Sequence, residues 1–301
     1  MPHMTDNTTR TPTLPKTAEA SDTAGLLSAK RYCTVSIPQR KPLRIVHVSP
    51  TSNLFGSERS LLEQFRTIDR RRFLPYLVTL VEGPFEEAAR AEGIPVDRLS
   101  WLTEGSCRHP LQWLRTVARF TSWLREARID IVELNLLLFG LPDLGMLSTA
   151  TRFAGAKFVL RNRLSAYWLS LYDKFWVSRA DVIISVSRGA IEPWLKRRRS
   201  DLWSRIRPER IYLVPSGRNV SELETIPRNP HVLRSLGIPE DARVVGMVAG
   251  ITPNKRHDIF LKAAQLIRHQ CHDTWFVIVG ASYSERERYA TYEAALREMI
   301  V

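Results

Sequence analysis

Cysteine is scarce in this chain. Cys33, Cys107 and Cys271 are odd in number, far apart and without C-x-x-C spacing, which argues against a disulfide framework or a zinc site and fits a reducing compartment. Long apolar runs are missing too. The most apolar stretch, residues 131–147, is broken by Glu133, Pro142 and Asp143, so it does not read as a spanning helix. The first 41 residues are rich in Thr, Pro and Ala, and their only apolar patch, Leu26-Leu27, is too short for a signal peptide. They read as a disordered leader. His257, His269 and His272 form no metal-ligand pattern with acids. Acidic residues are outnumbered: 31 Asp and Glu face 44 Lys and Arg, for a formal net charge of +13, with Arg far ahead of Lys. Such a balance favours anionic partners, whether phosphates, nucleic acid or an acidic membrane face. No RRM, KH or zinc-finger pattern accompanies it, so a nucleic-acid role would rest on charge alone. These absences together point to a cytoplasmic protein.

What is present is ordinary for a globular chain: 44% apolar and 25% charged residues over 301 positions, enough for two domains with their own cores. From residue 42 strands and helices alternate. The apolar runs 43–48 (LRIVHV), 76–81, 94–99, 129–134, 157–160, 182–186 and 211–214 read as buried strands. Helical patterns lie between them at 57–68, 85–92, 110–127, 141–153, 166–178 and 189–199. This alternation predicts an α/β fold with a doubly wound parallel sheet over 42–218. A looser stretch, 219–239, carries Pro227, Pro230 and Pro239 and reads as a linker. The pattern restarts over 240–301, with strands at 243–248 and 275–279 and helices at 256–269 and 285–299. Two strands cannot cover each other's faces and edges, so the second domain is expected to be incomplete and the chain truncated at its C-terminal end.

Ligands of open parallel sheets sit beyond the carboxyl ends of the strands. Three loops fall there. Residues 49–58 (SPTSNLFGSE) run through Gly56 and Ser57 into a helix, whose N-terminus is a ready anion site. The same spacing also describes a plain helix start with Ser or Asn as N-cap and Glu58 favouring the dipole. Residues 214–218 (VPSGR) hold a tight turn at Ser216 and Gly217. Residues 249–257 (AGITPNKRH) bring Lys255 and Arg256 to a helix N-terminus, where the macrodipole disfavours cations. A bound anion would account for them, and so would a solvated basic loop.

Taken in order, these loops resemble the retaining glycosyltransferases of family GT4, which have two Rossmann-like domains in the GT-B fold. Phe55-Gly56-Ser57-Glu58 resembles the Gly-Gly-x-Glu helix start, Ile184-Ser185-Val186-Ser187 the Val-Ser motif and Val214-Pro215-Ser216-Gly217 the Val-Pro-Asn-Gly turn. Residues 249–255 resemble Gly-Arg-Leu-x-Pro-x-Lys, and 276–280 (FVIVG) the strand that follows. The resemblance covers about 42–301. It implies transfer of a sugar, with retention, from a nucleotide-diphosphate donor to a glycan or lipid-linked acceptor, without a cofactor or bound metal. It makes 42–218 the acceptor-side domain and 240–301 the start of the nucleotide-sugar domain. Lys255 would stabilise the leaving diphosphate, with Arg256 as a second cation, and Gly56 and Ser57 would present a helix start to the same diphosphate across an interdomain cleft; Ser216 and Gly217 form a cleft turn. The catalytic residues stay unassigned. Three departures stand out. Gly250 replaces a donor-site arginine, Glu133-Leu134-Asn135 and Arg161-Asn162-Arg163 occupy places where histidines often fall, and the paired glutamates would lie past residue 301.

Other features admit plainer readings. Trp113, Val117, Phe120, Trp123 and Leu124 make a broad apolar helix face, suited to packing on the sheet or to a membrane surface. The basic run 196–199 (KRRR), between Trp194 and Trp203, is a solvated helix end or a peripheral contact with an anionic inner-membrane face. The alternative to a transferase is a non-catalytic nucleotide- or sugar-binding remnant. Expression should give a soluble 42–218 fragment and a more aggregation-prone full chain; robust sugar transfer by purified 1–301 would overturn the truncation argument.

Overall fold

The computed structural model describes residues 41–104, 109–135, 143–163, 170–196, 207–227, 229, 231–282 and 287–300. The chain divides into two compact units, one through Arg218 and one from Asn219. The proposed leader, most of the basic run at 196–199 and Trp203 lie outside the described residues.

The first unit is built on seven parallel strands: β1 (Leu43–Ser49), β2 (Phe73–Thr79), β3 (Val96–Arg98), β4 (Ile131–Leu134), β5 (Lys157–Asn162), β6 (Val182–Ser185) and β7 (Ile211–Leu213), in the order β3-β2-β1-β4-β5-β6-β7. The connecting helices are α1 (Gly56–Thr67), α2 (Pro84–Ala91), α3 (Pro110–Glu126), α4 (Leu144–Ala154), α5 (Leu171–Val177) and α6 (Arg188–Lys196). Side chains alternate across the sheet. On β1, Val46 and Val48 enter the larger core with Phe120, Leu124, Val132 and Phe158. His47 turns the other way and meets the Phe65 ring of α1 edge-on at 5.2 Å. There Leu61, Phe65, Leu77 and Phe85 form the second core. Helices thus cover both faces of the sheet, as parallel strands require. The aromatic stripe of α3 packs inward: Val117, Phe120 and Leu124 are buried and Trp113 and Trp123 lean on the same core. This is the sheet-packing reading of that helix.

Most strand limits shift by one to three residues from the sequence expectation; for two of them the strand pairing gives a physical reason. β2 begins at Phe73, three residues early, and so contains Pro75. It pairs with β1 along its whole length but with β3 only from Leu77. Pro75 therefore sits where one side of the strand has no neighbour, and its missing N–H costs no ladder bond. β5 runs on to Asn162 through the charged Arg161, which pairs with a carboxylate on β4.

The second unit contains α7 (Val220–Glu224) and α8 (His231–Ser235), two short helices inside the stretch expected to be a linker. A two-stranded parallel sheet follows, β8 (Arg243–Val248) with β9 (Thr274–Val279), together with α9 (His257–Arg268) and α10 (Glu287–Glu298). Val244, Val245, Val248, Trp275 and Val279 on this sheet are exposed. Among the described residues no helix is long and apolar enough to cross a membrane.

At the β3 edge of the first unit, the buried carboxylate of Glu86 accepts from the Thr79 hydroxyl at 2.7 Å and from Arg98 Nε and a terminal nitrogen at 2.9 and 2.8 Å. The hydrogen-bonded Arg98 holds the Glu86 carboxyl at about 2, below its ordinary 4.5, against the opposing pull of burial. A carboxylate depressed in the folded state stabilises the fold above its unfolded pKa and stops doing so as the pH falls through its folded value. Glu86→Gln should therefore be less stable than the parent at neutral pH, with the gap closing as the pH drops from about 4.5 to about 2. Urea midpoints across that window check this; a gap that stays constant would count against it.

Candidate functional site

The crevice of a doubly wound sheet opens where the strand order reverses, here between β1 and β4. The loop leaving β1 is fixed before it reaches α1. Ser52 O accepts from the Phe85 amide at 3.0 Å, and the Ser52 hydroxyl donates to Gly83 O at 3.2 Å. A Cβ on Gly83 would stand 2.4 Å from Ser52 O, so the two loops meet only because that residue is glycine.

At the start of α1 the N-cap is Phe55, and no side chain caps the helix. The hydroxyls that might have done so serve Glu58 instead: Thr51 Oγ1 and Ser57 Oγ donate to its two carboxylate oxygens at 2.5 and 2.7 Å. Glu58 is buried and acts as an internal anchor for the loop. The first-turn amides stay uncapped by side chains, and the dipole and unpaired N–H groups of a helix N-terminus favour an anion. Gly56 opens onto empty space, with nothing within 4 Å of a built Cβ.

Next to this turn lies a polar cluster at the ends of β1, β4, β5 and β7. Glu133 and Arg161 form a two-pronged pair at 2.7 and 3.0 Å. His47 Nδ1 lies 3.4 Å from Glu133, without hydrogen-bond geometry on either ring nitrogen. Burial pushes the Glu133 carboxyl up, but His47 and Arg161 outweigh it and hold it below the usual carboxylate range. Just past the end of β5, Arg163 donates to Asn135 Oδ1 from Nη2 at 3.1 Å and from Nε at 3.3 Å. Its Nη1 reaches the Ser216 hydroxyl at 3.5 Å, and Ser60 donates to Ser216 at 3.1 Å. Burial, followed by the Arg161 charge, lowers the Arg163 guanidinium to about 10; it remains charged at neutral pH and faces neutral partners. Asn135 is fully buried and its Nδ2 has no hydrogen-bond partner among the described residues.

Of the residues the sequence singled out in this unit, the structure brings Ser216 into the cluster and leaves Gly217 exposed beside it. Asn135 and Arg163 were not selected from sequence. Their signal is a polar residue just past each strand, two positions beyond a charged one: Asn135 after Glu133 and Arg163 after Arg161.

In the second unit the loop after β8 is placed by continued pairing with the residues after β9. Ala249 N donates to Val279 O at 3.0 Å and Ile251 N to Ala281 O at 2.9 Å. A Cβ at Gly280 would overlap Ala249 O at 1.9 Å. The loop then makes a 3-10 turn, Pro253–Lys255, and enters α9 through Arg256, whose φ is +58°. Lys255 is exposed, and its ammonium has no ion pair among the described residues. Arg256 differs: its guanidinium is tied to Asp258 at 2.9 and 3.1 Å, and this pairing lowers the Asp258 carboxyl to about 2. His257 is fully buried, with neither ring nitrogen hydrogen-bonded among the described residues; the Arg256 side chain does not cap α9, and the Asp258 amide of its first turn donates to the Tyr292 hydroxyl at 3.4 Å. The two cations named from sequence are thus unequal, one unpaired and one neutralised by its neighbour.

A family model described as "Glycosyl transferases group 1" matches residues 230–301, the part that carries this loop. Among solved structures, the chain is similar to HepE of Anabaena in complex with UDP, with a TM-score of 0.66 and 17% identity over 86% of this chain and 65% of that one. With UDP and glucose bound, the same Anabaena protein gives a TM-score of 0.64 and 18% identity over 86% and 65% of the two chains. A glycosyltransferase from Rickettsia africae gives 0.63 and 16% over 87% and 65%. The chain therefore spans about 65% of the length of these structures. No curated protein matches it. At such identities the likeness establishes the fold, an α/β, Rossmann-like architecture of the GT-B type.

The loop contacts generate a contrast between two glycines. Gly83→Ala forces backbone apart and should lower the unfolding free energy by about 1–3 kcal/mol. Gly56→Ala meets no atom within 4 Å and should leave it unchanged within about 0.5 kcal/mol. Urea denaturation of the two variants checks this.

Proposed function

We propose that the chain belongs to the machinery of sugar transfer: it binds a nucleotide-diphosphate sugar, UDP-linked by analogy with HepE of Anabaena, and passes the sugar with retention to a glycan or lipid-linked acceptor. The single observation behind this reading is the match to the glycosyl transferases group 1 model over residues 230–301, which contain Lys255 just ahead of α9, exposed and without an ion pair among the described residues. As the sugar leaves, negative charge grows on the diphosphate. An ammonium placed against that charge stabilises the transition state more than the ground state. Lys255 takes that role. Arg256 contributes little while Asp258 holds it. Gly56 and Ser57 offer a second phosphate-binding helix start on the first unit, and the Ser216–Gly217 turn with Arg163 lines the acceptor side. Within this reading the protein works in the cytoplasm, in peripheral contact with an anionic membrane face.

Gly250, where the resembled family carries an arginine, favours a second reading, a nucleotide- or sugar-binding protein that does not transfer. Donor turnover separates the two: release of UDP from UDP-sugar in the presence of acceptor supports transfer, and saturable UDP binding without release supports the second reading.

Titration calorimetry with UDP tests the assignment of Lys255. Lys255→Ala should weaken binding by roughly 1.5–3 kcal/mol, the size of a hydrogen bond to a charged group, and Arg256→Ala by much less. Equal affinity in the parent and the Lys255 variant would remove Lys255 from the site.

A further inference from the structure

The amino edge of the first unit's sheet, opposite the loops described above, carries four arginines that the transferase reading does not use. Arg152 lies in the last turn of α4 ahead of β5, Arg179 lies between α5 and β6, and Arg207 and Arg210 lie ahead of β7. Chain segments entering neighbouring strands of a parallel sheet meet at one edge, and here they enclose a cavity of about 220 Å³ lined by the four arginines, Phe175 and Ser178. Among the described residues no carboxylate lines it. Among the described residues none of the four guanidinium groups has an ion pair. Asp181, close by in sequence, is taken by the Phe158 amide at 3.0 Å and by Lys157 at 3.4 Å. Glu209 is exposed and outside the lining.

Part of this has a local explanation. Cations near helix C-termini are favoured by the macrodipole, which covers Arg152 at the end of α4 and Arg179 just past α5. Arg210 donates to Ala180 O at 3.1 Å, and the Arg179 guanidinium stands 5.4 Å from the Phe175 ring centroid. Neither contact supplies a negative charge, and the dipole argument leaves Arg207 and Arg210 unexplained. Like charges around one small cavity repel, and an anion among them reverses the sign of that interaction.

We propose that this cavity is a binding site for a phosphate group. Guanidinium forks match phosphate oxygens two at a time. The volume is below the roughly 300–1,000 Å³ of pockets that enclose whole small molecules, so the cavity suits one phosphate with the rest of its carrier outside. Two carriers present this chemistry: the headgroup of an anionic phospholipid and free phosphate or a soluble phosphomonoester. Phe153, next to Arg152, exposes 62% of its surface and would suit the lipid. The site does not depend on the transferase assignment.

The test uses the full chain at low ionic strength with two probes: inorganic phosphate in titration calorimetry, and sedimentation with phosphatidylcholine vesicles with or without phosphatidylglycerol. The variant is Arg152→Gln/Arg179→Gln/Arg207→Gln, with Arg210 kept because it holds Ala180 O. The parent should bind phosphate saturably, and the variant about tenfold or more weakly, with an unchanged circular dichroism spectrum. Phosphatidylglycerol-dependent sedimentation that is lost in the variant and competed by phosphate identifies a lipid carrier. Phosphate binding without sedimentation identifies a soluble one. Should the triple variant not fold, the exposed pair Arg152→Gln/Arg207→Gln takes its place. The proposal is overturned if the parent binds neither probe, or if a folded variant binds both as the parent does.

Discussion

Glu133 and Arg161 stand side by side on adjacent strands, and much of the carboxyl edge of the first unit rests on their pairing. A carboxylate buried this deeply is tolerated only when a charge and hydrogen bonds compensate it. Arg161 provides both, through two bonds of 2.7 and 3.0 Å. The pairing lets β5 continue through a charged residue to Asn162, and Arg163, just past it, reaches the side chain of Asn135 beyond β4. From there the contacts pass to Ser216 and Ser60, joining the turn after β7 to α1. Removing one partner alone would leave the other charge buried and uncompensated, which costs far more than the pair contributes.

The architecture was largely legible in the sequence because parallel strands buried on both faces appear as short continuous apolar runs, and helices separate them. The strand at 243–248 coincides with β8, and α3 differs from its expected span by a single residue at its end. Two of the differences share a cause, a partner distant in sequence. β2 extends back through Pro75 because β3 pairs only beyond it, and β5 extends through Arg161 because Glu133 on β4 pairs with it.

The candidate site was less legible. Gly56, Ser57, Ser216, Lys255 and Arg256 were chosen because they fall at strand-to-helix junctions, and the junctions are there. Which hydroxyl does what was not readable. Ser57 looks like a capping or ligand residue, yet its hydroxyl is committed to Glu58. Arg256 and Lys255 are adjacent cations of equal standing in a sequence, and only the backbone turn at Arg256, with φ of +58°, and the bond to Asp258 set them apart. Asn135 and Arg163 stand where the resembled family often has histidines, so the family motif gives them no role, and only the polar pattern at the two strand ends marks them.

The sheet also acts as a spacer. β5 has six residues, so at about 3.3 Å per residue the polar cluster at its carboxyl end and the arginine cavity at its amino end lie on the order of 20 Å apart. They share no side chain. Sites that far apart without common partners contribute almost additively, so occupancy at one edge leaves affinity at the other nearly unchanged. Each edge is then free to change its chemistry by substitution without disturbing the other, and the apolar strands between them need only keep their length.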